Sequence, residues 1–291
     1  FMIAPRLKAA GRLGQAPLAV ELLTTDDPAR ARSLADYLHE LNKSRDSIER
    51  SVYLAANKQA QAQLDAGSHS ALVLAAPGWH KGVIGIVAGR LAEKYHCPVL
   101  VASLDEMGIQ PGVGSGRSIP GFNLAEALEA CDAFLLGHGG HAAAAGFQCT
   151  TENMDPFRIA FCEYADTQCD GDMRQADLKI DAEVPLSGLT LQAVEQIERL
   201  EPFGQGNRRP LLCSSQIEIR EPRTIGNGNK HLALQLVQNG LRLRGVAFGR
   251  GYWAEELQQL TEPIAVAFRP VINTFRGQRN VELHLEDWQR A

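Results

Sequence analysis

One run of the chain constrains its architecture more than any other. Between Asp26-Asp27-Pro28 and Gly67, the residues Leu34, Leu38, Leu41, Ile48 and Val52 recur at three- and four-residue steps with polar residues between them. Asp supplies a helix cap, and Pro takes the first helical position, where its missing N–H is no loss. Glycine ends the run. The pattern predicts one helix of roughly 35–40 residues, about 55–60 Å long, carrying a single apolar stripe. A helix of that length is either an arm of a coiled coil or bundle, or a strut joining two folded parts, one of them outside this sequence.

Beyond Gly67 the chain changes character. Residues 71–76 form a short continuous apolar run that suits a buried strand. The loop Pro77-Gly78-Trp79-His80-Lys81-Gly82, a helix over 83–95 and a second apolar run over 98–103 come next. Strand, helix and strand in about 30 residues make a βαβ unit with parallel strands and a right-handed crossover. Gly82, Gly85 and Gly89 share one side of the helix. Each costs about 1 kcal/mol relative to Ala, so close packing on the sheet is the expected compensation. Two glycine-rich stretches, 112–118 and 137–141, read as loops on either side of a helix over 124–135. Residues 147–149 read as a strand, Asp155-Pro156 opens another helix, and the acidic stretch reaching Glu183 reads as a connector before a helix over 191–200.

The last part is β-rich. Five short, mostly alternating segments (216–220, 231–237, 241–248, 264–268 and 281–285) are divided by turn signals such as Gly226-Asn227-Gly228-Asn229, Asn239-Gly240 and Arg276-Gly277. Five such strands in about 80 residues indicate a small closed or partly open β-barrel. The fold class is therefore α/β plus all-β: a long connecting helix, an α/β domain with a parallel-containing sheet, then a small barrel. A length of 291 residues accommodates that pair of domains.

Charge matters here because the whole-chain value misleads. Twenty-nine Lys and Arg against 34 Asp and Glu give −5, which argues against a polyanion-binding protein. Residues 1–17, however, carry Arg6, Lys8 and Arg12 and no acid, and residues 201–291 carry 12 bases and 9 acids. The acid is concentrated in residues 151–200, with 11 acids and 4 bases. Local charge, not net charge, governs what each end attracts. The six cysteines (Cys97, Cys131, Cys149, Cys162, Cys169 and Cys213) have no zinc-site spacing and read as free thiols in a reducing cytoplasm. No apolar run approaches the ~18–20 residues of a membrane span. The chain begins with Phe, which suggests a piece of a longer protein.

Gly114-Ser115-Gly116-Arg117-Ser118 has the composition of an anion cradle. Glycines let backbone N–H groups approach a phosphate or carboxylate, and two hydroxyls flank a guanidinium. Tight turns use the same residues, so both readings stand. The stretch from Gly137 to His141 opens onto small residues, where a ligand could reach the backbone. His138 and His141 lack carboxylates or thiols at metal-site spacing, which favours phosphate or sugar contact by His141 over metal ligation. His80 lies just past a strand's C-terminal end, where parallel sheets bind ligands, and is either a structural hydrogen-bonder or a site residue. The basic cluster Pro5 to Arg12 is either a solvated face or an anion contact.

Taken in order, these motifs carry a resemblance. Phe1-x-Ile3-Ala4-Pro5-Arg6-Leu7-x-Ala9-Ala10-Gly11-Arg12, Trp79-His80-x-Gly82-Val83-x-Gly85-Ile86, Gly114 to Ser118, Gly139-Gly140-His141-x-x-Ala144-Ala145-Gly146, Glu201-Pro202-Phe203-Gly204-x-Gly206-Asn207 and Ile272-Asn273-x-Phe275-Arg276-Gly277 together resemble the RecJ family of single-strand-specific 5′-to-3′ DNA exonucleases. The Gly-Gly-His motif alone is shared with the wider DHH phosphoesterases. The resemblance implies the end of an absent catalytic domain plus the connecting helix over 1–69. It further implies a DHH-associated domain over 70–170, an acidic connector over 171–200 and an OB-fold over 201–291. No Asp-His-His motif is present, so the implied divalent metal, Mn or Mg, would be bound by the missing domain, with none expected in this chain, and the isolated chain should not cut DNA.

The same resemblance assigns roles. Arg117 and His141 would be catalytic. Arg6, Arg12, His80, Ser115, Arg117, Gly139, Gly140 and His141 would bind the phosphate and nucleotide of the substrate. Lys230, His231, Arg242, Arg244, Arg269, Phe275, Arg276 and Arg279 would bind single-stranded DNA on the barrel, through a basic groove and aromatic stacking. Alternation puts Arg242 and Arg244 on one strand face, while Phe275 is either a stacking platform or barrel core. Lys8 stands where the family usually has Asn. Implied partners are single-stranded DNA, single-stranded-DNA-binding protein and other repair proteins, with a monomeric, cytoplasmic, non-membrane protein expected. A stand-alone non-catalytic nucleic-acid-binding module, or another DHH-type phosphodiesterase acting on short RNA or nucleotides, remains open.

Overall fold

Three helices open the chain: α1 (Ile3–Arg12), α2 (Ala16–Thr24) and α3 (Pro28–Asp65). The computed structural model describes residues 3–67, 70–168, 178–226 and 228–290. In it α3 runs for 38 residues, and the Asp27 carboxylate accepts a bond from the Ala29 N–H at 2.8 Å. Its stripe is used twice. Leu38 and Leu41 pack with Ala10 and Ala19 of the two short helices. Further along, Val52, Ala56 and Ala60 are buried in the core of an α/β layer. The helix is thus a strut whose two ends serve two clusters.

That layer is built from β1 (Leu72–Pro77), α4 (Lys81–Tyr95), β2 (Val99–Leu104), β3 (Gly112–Arg117), α5 (Leu124–Ala130), β4 (Gly137–His141), β5 (Ala144–Cys149) and α6 (Met154–Gln168). The sheet order is β1-β2-β3-β5-β4, with β1 and β2 parallel and the remaining pairs antiparallel. Strand alternation divides the apolar residues. Leu72, Leu74, Val99 and Val101 face α3 and α4, while Val73, Leu100 and Ala102 face α5 and α6. The free edge of β1 is covered by α3 side chains. Gln59 bonds both the N–H and the carbonyl of Ala75, at 3.2 and 3.1 Å, and Gln63 does the same for Val73, at 3.3 and 2.8 Å. An edge that would otherwise invite a foreign strand is closed.

Both glycine-rich stretches are strands, not loops. In β3 every second residue is glycine because Phe147, Leu100 and Leu124 press on that face. A Cβ on Gly114 would lie 2.0 Å from the Phe147 ring, and one on Gly116 2.4 Å from a Leu100 methyl. The helix expected over 124–135 ends at Ala130, and a single 3-10 turn, Asp132–Phe134, follows.

The second unit, Asp177–Ala291, contains β6 (Ala182–Glu183), α7 (Leu191–Glu198), β7 (Leu212–Ile225), β8 (His231–Gln238), β9 (Leu241–Ala247), α8 (Trp253–Gln259), β10 (Ile264–Phe275) and β11 (Gln278–Arg290). The sheet order β10-β11-β9-β8-β7-β6, together with a β10–β7 pairing, closes five strands into a barrel. Its interior holds Ile217, Leu232, Leu234, Leu236, Phe268 and Leu283. The strands run longer than their alternating segments because β10 and β11 continue past the core as a polar hairpin paired through Phe275 and Gln278. Residues 171–177 of the expected connector lie outside the described residues. From Asp181 onward that stretch is built into this unit: β6 pairs with β7, the Ser214 hydroxyl donates to the Val184 carbonyl at 2.5 Å, and Leu186 and Leu189 are in the core.

Candidate nucleic-acid interface

The glycine face of α4 is a trough with arginine in it. Gly85 leaves room for the Ser115 hydroxyl and the Arg117 guanidinium, which a Cβ would meet at 2.9 and 3.2 Å, and Gly89 lies 3.7 Å from the Arg117 stem by the same construction. At Gly82 a Cβ would sit 1.9 Å from the Arg12 carbonyl oxygen. The glycines therefore admit α1 and the β3 side chains, a more specific use than general helix-on-sheet packing. Arg117 donates to Ser115 Oγ at 3.2 Å and to the Gly116 carbonyl at 2.7 Å, and Arg12 donates to the Gly82 carbonyl at 2.9 Å. Neither has a carboxylate partner among the described residues. Burial, then the positive charges of Arg45 and Arg117, hold the Arg12 pKa below its usual value, with Glu49 opposing.

Sheet register extends this wall into a floor. Arg117 pairs with Ala144, which pairs with His141; Ser115 pairs with Gly146, which pairs with Gly139. Residues directly opposite one another share a sheet face. Ser115, Arg117, Gly139 and His141 thus lie on one face, with Arg117 and His141 about 10 Å apart across two strand spacings. Between them stand only Ala144 and Gly146, and β4 is exposed along its whole length. Gly140 has φ +146°, and a Cβ there would meet Ala145 Cα at 2.4 Å, so the turn of the edge strand requires glycine.

Other expected site residues make local hydrogen bonds. His80 is the cap of α4, its Nδ1 accepting from the Gly82 N–H at 3.0 Å. Arg6 donates to His39 Nδ1 at 3.1 Å. The Ser118 hydroxyl is spent on the Phe122 carbonyl at 2.8 Å, so only one hydroxyl, that of Ser115, flanks the guanidinium on this face. Sequence reasoning missed Arg45 and Glu49, whose charges act on Arg12, and Arg90, which pairs with Glu49 at 3.0 Å. The readable signal was an arginine standing in the apolar stripe between Leu41 and Ile48.

On the barrel, Arg242, Arg244 and Phe275 line one groove of about 730 Å³ together with Asn273, Asn280 and Glu282. Phe275 is 67% exposed, so it is not barrel core, and the Arg276 guanidinium lies 5.2 Å from its ring centre. Arg244 pairs with the buried Glu282 at 3.3 Å, and Asn273 donates to the same carboxylate at 3.0 Å. Arg269 lines a second groove of about 550 Å³ with Arg209, Phe248, Arg250 and His284, four residues that the sequence did not single out. Arg279 is tied to Glu195 at 2.8 Å. His231 is held structurally, its Nδ1 accepting from the Gly249 N–H at 2.8 Å and its ring packed against Phe248. Lys230 is exposed beside it.

The donor chemistry of these faces is cationic. Among the described residues no group of three or more His, Cys, Asp or Glu is placed to hold a metal ion, so a two-metal centre does not fit them. No helix among them is long and apolar enough to cross a membrane. Cys131, Cys149 and Cys213 are free thiols, and Cys169 lies outside the described residues.

Residues 68–167 match the model of the DHHA1 domain and residues 180–287 that of the RecJ OB domain, so the chain is a DHH-associated α/β domain followed by an OB barrel. It is 33% identical to the single-stranded-DNA-specific exonuclease RecJ of Dickeya dadantii over 98% of its own length and 50% of that protein. With RecJ of Haemophilus influenzae it shares 34% identity, covering 97% of this chain and 50% of the relative, and with that of Bacillus subtilis 31%, covering 99% and 36%. The crystal structure of Thermus thermophilus RecJ with Mg2+ superposes with a TM-score of 0.84 at 32% identity, over 100% of this chain and 43% of the other. The chain belongs to the RecJ family and spans about half, or less, of the length of the curated relatives it matches.

Proposed function

We propose that this chain is the substrate-binding portion of a 5′-to-3′ exonuclease acting on single-stranded DNA in recombination and repair. The observation that carries the reading is the rung arrangement of the first unit. Arg117 and the Ser115 hydroxyl share a sheet face with an open floor of glycine and alanine in register with His141, the charge of Arg117 acts on Arg12, and neither arginine has a carboxylate partner among the described residues. Arginine forks bind phosphate oxygens bidentately, and a floor without side chains lets a nucleotide reach the sheet. In this reading Ser115, Arg117 and Arg12 hold a backbone phosphate, Gly139, Gly140 and His141 contact its nucleotide, and the barrel grooves bind single-stranded DNA on Phe275 and the arginines. The divalent metals that the relatives' structures hold would be supplied by ligands outside the described residues, which leaves this chain by itself without nuclease activity.

Fluorescence anisotropy of a labelled oligothymidine against the 291-residue chain tests the binding claim. Saturable binding that falls steeply with salt is expected, with log K dropping by about 0.7 per log unit of salt for each phosphate contact. Absence of binding at low ionic strength would refute the proposal. As for catalysis, Arg117→Ala in the enzyme carrying its metal domain is expected to lower the cleavage rate about tenfold or more, the effect of one lost charge-assisted contact.

A further inference from the structure

Phe248 is an aromatic ring that the barrel does not use for its core. It directly follows β9, is 57% exposed and stands apart from the cluster that fills the barrel. Two imidazoles hold it. His231 of β8 and His284 of β11 come from the strands on either side of β9, with ring centres 5.4 and 4.9 Å from that of Phe248 and planes 70° and 86° from its own. Edge-to-face pairs of this kind favour one ring orientation. A ring fixed in place yet open to solvent adds little to the fold and is preorganised for a flat apolar partner.

The cations of the groove around Phe248 differ in availability. Arg209 is spent on Glu201 at 2.6 Å and on the Phe203 ring, and Arg269 lies 3.3 Å from Glu286. Arg250 is exposed and has no carboxylate partner among the described residues. Its Nη1 donates to the Tyr252 hydroxyl at 2.8 Å, and its Nε and Nη2 make no hydrogen bond among the described residues.

Strand register joins this groove to the one around Phe275. Along β11, Gln278, Glu282 and His284 share one face, and opposite them on β10 stand Phe275, Val271 and Arg269. Glu282 lines one groove and His284 the other, and their side chains are 3.3 Å apart. The six residue steps from Gln278 to His284 span about 20 Å. An aromatic ring thus stands at each end of one face, Phe275 opposite Gln278 and Phe248 against His284.

We propose that Phe248 is a second base-stacking platform with Arg250 as its phosphate contact, and that a single strand crosses the barrel along β11 from one groove to the other. The inference rests on the reading of the barrel as a surface for single-stranded DNA and adds to it two residues and a path. Stacking tolerates any sequence because every base has a π face, and a path of this length suits the site sizes of about 4–16 nucleotides that OB folds cover.

The test compares two probes of equal charge, 3′-labelled dodecathymidine and a strand of the same length made of abasic residues, by anisotropy with the 291-residue chain. Phe248→Ala is expected to weaken dodecathymidine binding about tenfold and to leave binding of the abasic strand unchanged. Phe248→Trp should keep wild-type affinity. Arg250→Ala should weaken both probes and lower the salt slope by about 0.7, one phosphate contact. Phe248→Leu keeps an apolar side chain without a π face and gives the same readout if Phe248→Ala does not fold. Unchanged dodecathymidine binding by either folded variant overturns the platform, as does an equal loss on both probes, which marks a role in packing alone. An unchanged salt slope for Arg250→Ala removes Arg250 from the path. If Phe275→Ala weakens binding and the Phe248 variants do not, the strand keeps to the first groove; if neither position matters, the reading of the barrel as a DNA surface fails beneath the proposal.

Discussion

At the scale of single residues, two glycines one helical turn apart make opposite predictions. A methyl group on Gly85 would meet only the ends of flexible side chains, Ser115 Oγ at 2.9 Å and Arg117 Nη2 at 3.2 Å. The helix gains up to about 1 kcal/mol from Gly→Ala while the two side chains are pushed aside. Gly85→Ala should therefore melt no earlier than wild type and bind oligothymidine more weakly; undiminished binding would show that the trough is unrelated to the ligand. Gly82→Ala meets the Arg12 carbonyl oxygen at 1.9 Å and its carbon at 2.8 Å, both backbone atoms. The first helix must move, at a cost of about 1–3 kcal/mol, so this variant should lose stability in urea denaturation.

Burial also sets a pH dependence at one thiol. Desolvation, then neighbouring Cys162, pushes the Cys131 pKa from 9.0 up to about 11. The folded thiol keeps its proton where the unfolded one loses it, so across the window from 9.0 to about 11 the unfolded state binds fewer protons. Stability therefore falls as pH rises through that window and is unaffected by this group below it. Alkylation of Cys131 in the folded chain should be slow at pH 8 and accelerate only toward the upper end. Rapid labelling at pH 8, detected by mass spectrometry, would contradict the assignment.

At the scale of elements, the sequence was most legible where one periodicity dominated. Asp27-Pro28 and the apolar stripe located α3 to within a residue or two, and continuous apolar runs located the parallel pair β1 and β2. It was least legible where glycine had two meanings. Gly112, Gly114 and Gly116 alternate with Val113, Ser115 and Arg117, and that two-residue period is the mark of a strand pressed by bulky neighbours. Read as punctuation, the same letters gave a loop; Ser115 and Arg117 were still singled out, but their shared face with His141 was visible only once three strands were in register. The barrel's second groove escaped for a related reason. Arg209, Phe248, Arg250 and His284 come from separate segments, and nothing local joins them.

The edge of β1 offers a test at this scale. Gln59 and Gln63 each pair an N–H and a carbonyl of the strand. Leucine at 59 preserves bulk but leaves both Ala75 groups unpaired, and leucine at 63 leaves the Val73 N–H unpaired while the Val73 carbonyl keeps the Arg158 guanidinium at 2.9 Å, at about 1–3 kcal/mol for each substitution. Urea midpoints should fall accordingly, and the double variant should self-associate more readily because its strand edge is bare. A double variant as stable and as monodisperse as wild type would mean that water satisfies this edge without the glutamines.

For the molecule as a whole, the question is how a chain of net charge −5 could hold a polyanion. The structure relates this to pairing rather than to the sum. Many surface cations already have partners: Lys43 lies 2.7 Å from Glu40, and Arg30 lies 2.6 Å from Glu21. Arg12 and Arg117 in the first unit, and Arg242 in the second, make no ion pair among the described residues. Unpaired guanidiniums set in a groove or trough contribute field where neutralised ones do not. Arg242→Ala and Lys43→Ala change the net charge by the same one unit, so a comparison between them isolates location from total charge. Arg242→Ala is expected to lower the salt slope of oligothymidine binding by about 0.7, one phosphate contact, and Lys43→Ala to leave it unchanged. Equal losses from the two substitutions would mean that diffuse charge, not the groove of Arg242, Arg244 and Phe275, attracts the strand.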